Sequence, residues 1–235
     1  MTQLCPASGT GAVNAGHRGS LHPHTQNGLM VPYITKWTGE RTLRRVMVRR
    51  GAGIGFADES PYDRDDDGVL WIRQTSAQGS GEAEYLNVHS ARQRQVTRGL
   101  LCQGCAVDTV EQDPQRQLFV LKDIGKPIGE GELTTAGPVC LPCAHVTRTH
   151  CPPLRRHVAA WVERPLLWGV AGILHDRGTL RPLPKESLEM VSYEDPRLPW
   201  VLAVRQVLSL NGCAAVDLGD LGARGVDAMT GLPDR

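Results

Sequence analysis

Apolar and β-branched residues alternate with polar ones over Leu43–Val48 and again over Gly68–Thr75, which predicts two strands. Glycines at 51, 53 and 55 lie between them. The helix that a dinucleotide fingerprint requires does not follow, so this stretch reads as a flexible turn. Ala91 to Arg98 then predicts a helix, with Ser90 as its cap, Gln93 completing a capping box and Gly99 as its stop. A short helix is predicted from Ala144 to His150, ended by Cys151-Pro152-Pro153. His157–Glu163 and Leu166–Leu174 read as two strands broken at Pro165. The last long pattern is helical. Asp195 is its cap, Pro196 suits its first turn, and Leu198, Val201, Leu202, Val204 and Leu208 form an apolar face ending at Asn211-Gly212. Cys213–Leu218 returns as a strand.

Residues 1–30 are rich in Gly, Ser, Thr, Asn and His and hold little periodic apolar content, so a disordered tail is expected, with order starting at Val31-Pro32-Tyr33. His17, His22 and His24 in that tail read as surface histidines. The run Asp63 to Gly68 matches the first half of a calcium loop. Its twelfth position, however, is Gln74 where a bidentate Glu belongs, and a turn and a strand flank it, so it reads as an acidic turn.

Composition narrows the class. Apolar residues make up 40 % of the 235, enough for a core, and a net charge of +1 argues against a polyelectrolyte role for the whole chain. No apolar run is long enough for a bilayer, and no basic-then-apolar leader opens the sequence. A cytoplasmic protein is expected.

The chemistry lies in the cysteines. Cys102-Gln-Gly-Cys105 and Cys140-Leu-Pro-Cys143 form two Cys-x-x-Cys knuckles separated by 34 residues, room for a β-hairpin. Four thiolates in two such pairs suit a closed tetrahedral Zn²⁺ site. A redox dithiol would be a single such motif on a βαβ background, which is missing here. Cys5, Cys151 and Cys213 are left over, an odd set that fits a reducing compartment. Cys151 next to His150 reads as an idle or packed thiol, because adjacent helical residues point apart. The organisation expected is a tail over 1–30, a β-rich segment over 31–88, a zinc module over 89–157, an α+β segment over 158–220 packed with the preceding region, and a flexible tail over 221–235.

Helix, knuckle, hairpin, second knuckle, helix is the order of a treble-clef zinc finger, and residues 89–150 resemble the scaffold of HNH endonucleases. Arg98 precedes Cys102 as an Arg does in that family, and the second knuckle opens a helix. The resemblance implies metal-assisted hydrolysis of a phosphodiester through paired histidines. The carry-over stops at those residues. Residues 106–139 contain no histidine, Ala136 and Gly137 stand where the family's Asn belongs, and His145 falls two places after Cys143. A second resemblance spans about Val31 to Leu218. Pro32-Tyr33-Ile34, the run Gly53 to Arg64, Leu101 to Cys105, Pro138 to Cys143 and Asp195 to Leu198 are similar to a group of actinobacterial proteins, some phage-like. It implies one co-inherited unit and no mechanism.

Charge adds one clue. Tyr85–Val107 holds no Asp or Glu but contains Arg92, Arg94 and Arg98; Leu133–Val162 likewise holds none but contains Arg148, Arg155 and Arg156. These basic shoulders suit phosphate contacts, or equally the offsetting of the 2− charge of a Zn(Cys)₄ centre. The expected fold is therefore α+β, a treble-clef-like zinc centre between β-rich flanks with a C-terminal helix. The expected function is a non-catalytic binding protein stabilised by structural Zn²⁺, with nucleic acid the first candidate partner and another protein the second. The alternative is a diverged HNH-like metal-dependent nuclease.

Overall fold

A computed structural model describes residues 24–26, 28–150, 156–185 and 187–221, with the backbone alone at 147–150. In chain order the strands are β1 (His24–Gln26), β2 (Leu29–Val31), β3 (Thr35–Trp37), β4 (Met47–Arg50), β5 (Gly53–Phe56), β6 (Ala83–Val88), β7 (Gln117–Lys122), β8 (Glu132–Thr134), β9 (His157–Leu174), β10 (Glu189–Ser192) and β11 (Val201–Val216). The helices are α1 (Ser90–Gly99) and α2 (Leu141–His150), and residues 218–221 are helical.

Two long strands organise the molecule. β9 and β11 pair antiparallel from Leu174↔Val201 to Ala159↔Val216; both carry several Val residues, and β9 also Trp161 and Trp168, which fit a pleated surface. β7 and β10 take opposite ends of the far edge of β9, and β8 takes the far edge of β11 at Leu208–Leu210. Pro165 falls opposite Leu210, in the stretch of β9 between β7 and β10. No strand there needs its missing N–H, so the expected break is absent and β9 runs through it.

The segment expected to be the C-terminal helix, Leu198 to Leu208, is a short 3₁₀ turn followed by β11; a helical turn follows at 218–221. The ladder of β11 carries two irregularities, between Ala203 and Arg205 and between Val207 and Leu208. The first inserts Val204 into β11 and shifts its inward-facing set by one residue, which gives an apolar spacing that imitates a helix; the second inserts Trp168 into β9. The expected hairpin between the knuckles is also replaced. β7 pairs with β9 and β8 with β11, so its two strands join the central sheet on opposite sides.

The N-terminal half follows its sequence more closely. β1 and β2 pair antiparallel, so regular structure reaches back before Val31. β4 and β5 form another, turned at Gly51, whose φ of +57° only glycine adopts readily. Gly68–Thr75 forms separate bridges instead of a continuous strand: Leu70 with Arg64, Trp71 with Ala203 of β11, Gln74 with Thr42. The Asp63–Gly68 run is a turn, with Asp65 accepting from the amides of Asp67 and Val69.

Period-two alternation in β7 places the core. Leu118 and Val120 face the cysteines together with Ala159, while Phe119 faces Ala160, Val162, Leu208 and Leu210 on the other side of the sheet. Each such large side chain, fully buried, contributes about 1.5–3 kcal/mol relative to exposure. Two further clusters, one around Trp71 and Val201 and one around Ile54 and Trp200, fill the opposite end. Among the described residues no helix is long and apolar enough to cross a membrane.

Candidate metal centre

The first knuckle is a tight turn closed by its own backbone. Cys102 donates its N–H to Val107 at 2.7 Å and accepts from Ala106 at 2.7 Å, which holds Ala106 at a φ of +61°. Gln103 donates to Pro138 at 2.9 Å, and Tyr33 donates to Gly104 at 2.9 Å, so both the approach to the second knuckle and the N-terminal segment brace the turn. Gly104 is required by close approach: a Cβ there would stand 2.8 Å from the Cys143 sulfur.

The second knuckle sits at the start of a helix. Val139 donates to Leu118 of β7 at 2.8 Å, Cys140 immediately precedes α2, and Cys143 lies in its first turn. Helix start and sheet edge thus aim both thiols at the first pair. All four sulfurs lie within 4.8 Å of one another, and Cys105 and Cys140 approach to 3.7 Å. Tetrahedral Zn–S bonds of about 2.3 Å demand sulfur separations of about 3.8 Å, so the set needs a contraction of at most about 1 Å.

The electrostatics agree with a cation at the centre. Cys102, Cys140 and Cys143 are buried and Cys105 is half-buried, in an apolar cluster with Leu118, Val120, Val139 and Ala144. Hydrogen bonding among the sulfurs splits their acidities. The neighbours Cys102 and Cys140 drive the Cys105 thiol down, whereas Cys140 and Cys143 are driven up, first by Cys102. A dication binds the four sulfurs as thiolates, so its binding releases their protons. Backbone amides assist: Cys140 donates to the Cys102 sulfur at 3.3 Å, and Val107 donates to Cys105. The four cysteines fit a structural metal site. It is the only place among the described residues where three or more potential ligands converge.

The arginines expected beside it are dispersed. Arg92 is buried, donating to both carboxylate oxygens of Glu40 at 2.6 and 2.7 Å and to the Thr35 carbonyl at 2.7 Å. Arg94 stacks on Trp71 with its guanidinium carbon 4.5 Å from the ring centre. Arg98 bonds Asp65 and Asp67, and reaches Tyr193 and Gln206 at 3.3 Å. All three therefore brace the fold, and Arg92, 6 % exposed, has no surface to offer a phosphate. Arg156 is exposed, 3.9 Å from Asp123. Arg148 is placed in α2 by its backbone only, and Arg155, with Cys151, lies outside the described residues, as do His17 and His22.

Another group of arginines is exposed together. Arg41, Arg44, Arg45, Arg49 and Arg50 all face solvent along β4 and its approach, within ten residues that contain no acidic side chain. Among the described residues β4 pairs only with β5, and no strand covers its outer edge. Arg45 reaches Asp58 at 3.6 Å and Arg50 reaches Glu59 at 3.5 Å, but both acids already serve closer partners, Arg73 and Arg64. Arg49 and Arg177 both stack on Trp200, which extends the cationic surface. The signal was present in the sequence as a run of arginines, masked there by its strand-like alternation.

The chain matches no family model, and no curated protein and no solved structure is significantly similar to it. The resemblances to HNH endonucleases and to the actinobacterial group rest on the quoted residues alone.

Proposed function

We propose that this chain is a non-catalytic, zinc-stabilised binding protein that holds nucleic acid through Arg41, Arg44, Arg45, Arg49 and Arg50. Zinc is the ion of this reading, because four thiolates in a closed, mostly buried set favour it over harder cations. The layout also supports a treble-clef-like centre, with one pair on a tight turn and the other at a helix start, although its intervening strands depart from the usual hairpin. The observation that carries the partner is the exposed arginine edge of β4, on a chain whose net charge is only +1. A concentrated cationic strip on a near-neutral protein attracts phosphate locally without making the whole surface sticky.

The test is affinity for a labelled duplex and a labelled single strand across a salt series. Engaging about four phosphates gives a log–log slope of about −3.6 on duplex and about −2.8 on single strand. Changing Arg41 and Arg44 to Gln, both exposed, reduces the slope by about 1–2. No salt-dependent binding at low ionic strength rejects nucleic acid and moves the search to a protein partner.

A further inference from the structure

On one face of the sheet, β9, β10 and β11 form the floor of a hollow of about 620 Å³. That lies within the ~300–1,000 Å³ usual for small-molecule sites. The floor carries the cross-strand row Met190–Ala171–Arg205, fixed by the register of the three strands. Leu183 and Leu188, from the connection between β9 and β10, line it as well. Ala171, with a single methyl, stands between the two long side chains of that row.

Arg205 is there because of an irregularity in β11. Ala203 pairs with Gly172, so a regular ladder would put Val204 opposite Ala171. One extra residue puts Arg205 there instead. Its cationic neighbours are already engaged: Lys185 and Arg197 both pair with Glu189, and Arg197 also with Asp195. Arg205 pairs with no carboxylate among the described residues, and its Nε is buried without a hydrogen-bond partner. Burial alone lowers its proton affinity, with no acidic group acting against it. Arg205 is half-buried and lines the hollow, so an anion entering there meets a guanidinium that it can pair with.

We propose that this hollow binds a small organic anion, its carboxylate or phosphate head held by the Arg205 guanidinium and its apolar body against Leu183, Leu188 and Met190. The planar guanidinium matches both heads bidentately. Glu189 and Asp195 together balance Lys185 and Arg197, which leaves Arg205 as the net charge of the site.

The experiment follows the Arg205 Nε–Hε resonance in ¹⁵N-labelled protein, identified by its loss in Arg205→Gln or Arg205→Lys. The protein is titrated with octanoate, phenyl phosphate and the neutral isostere octanol. At least one anion shifts this resonance saturably, octanol binds at least tenfold more weakly, and Arg205→Gln loses at least tenfold in anion affinity. A response to octanoate alone assigns a carboxylate head; one to phenyl phosphate alone assigns a phosphate head. Equal binding of octanoate and octanol, or no saturable shift with either anion, overturns the proposal. That comparison uses the unaltered protein, so it decides even where Arg205→Gln fails to fold.

Discussion

Gln93 of α1 pairs with the backbone of Gln206 in β11 as a neighbouring strand would. Its Oε1 accepts the Gln206 N–H at 2.8 Å and its Nε2 donates to the Gln206 carbonyl at 3.0 Å, while also reaching the Thr135 carbonyl at 2.7 Å. β8 stops pairing with β11 at Thr134, where the chain leaves for the second knuckle. The Gln93 amide continues the ladder from the point where β8 gives out. Sequence spacing gives the same residue a capping role, yet His89 is the N-cap without a capping bond of its own side chain, and the Ser90 N–H donates to Gln74 Oε1 at 2.7 Å.

Replacing Gln93 with Leu leaves a buried N–H and C=O of Gln206 unpaired, so it costs about 2–4 kcal/mol. Gln93→Glu keeps the acceptor but turns a carboxylate oxygen towards the Gln206 carbonyl, and is at least as damaging. Urea unfolding measures both. A loss under about 0.5 kcal/mol for Gln93→Leu, the range of an ordinary surface change, shows that the pairing carries no stability.

Metal content is the direct check on the cysteine centre. About one zinc per chain is expected, lost in a Cys102→Ser, Cys140→Ser variant. Chelation should unfold the face of the sheet built on Leu118, Val120 and Ala159, since structural zinc binding is on the order of 10 kcal/mol and is coupled to folding. Gly104→Ala should weaken metal retention by crowding Cys143. Ala106→Gly should add about 1 kcal/mol of stability by removing the cost of a left-handed alanine. Metal-free protein with an unchanged melting curve contradicts the centre.

What was legible in the sequence was local. The knuckles declare themselves through a two-residue spacing, and α1 through its boundary residues Ser90 and Gly99. β11 did not, because its irregular ladder moves Gln206 and Leu208 onto helix-like spacing and because burial on both faces erases alternation. The strands between the knuckles also escaped, since β7 finds its partner some forty residues later, at Ala159–Val162. The arginines failed for the same reason. An acid-free run around Arg92 and Arg98 reads as a basic surface until Glu40, Asp65 and Asp67 are folded against it. Arg205 had no signal at all, because only the bulge gives it a direction.

The Glu40–Arg92 pair makes a prediction with a defined pH window. Burial by itself raises the Glu40 carboxyl, but the Arg92 guanidinium and the amides of Trp37 and Ala77 outweigh it and hold the group down to about 2, from an ordinary value of 4.5. A carboxyl depressed on folding contributes stability that is fully present above the unfolded value and lost as pH falls through the folded one. The contribution is on the order of 3 kcal/mol at neutral pH, fading between about pH 4.5 and pH 2. Glu40→Gln leaves Arg92 buried without its counter-charge and costs about 3–5 kcal/mol at pH 7. The gap to the unaltered protein narrows towards pH 2, where Glu40 is itself protonated. Metal release in acid affects both proteins alike and cancels in the difference. Removing both charges, as Glu40→Met with Arg92→Leu, costs much less than either single change, because no unpaired ion remains. Chemical unfolding at pH 7, 5 and 3 follows the difference, and a gap that stays constant across this range shows that the pair does not govern acid stability.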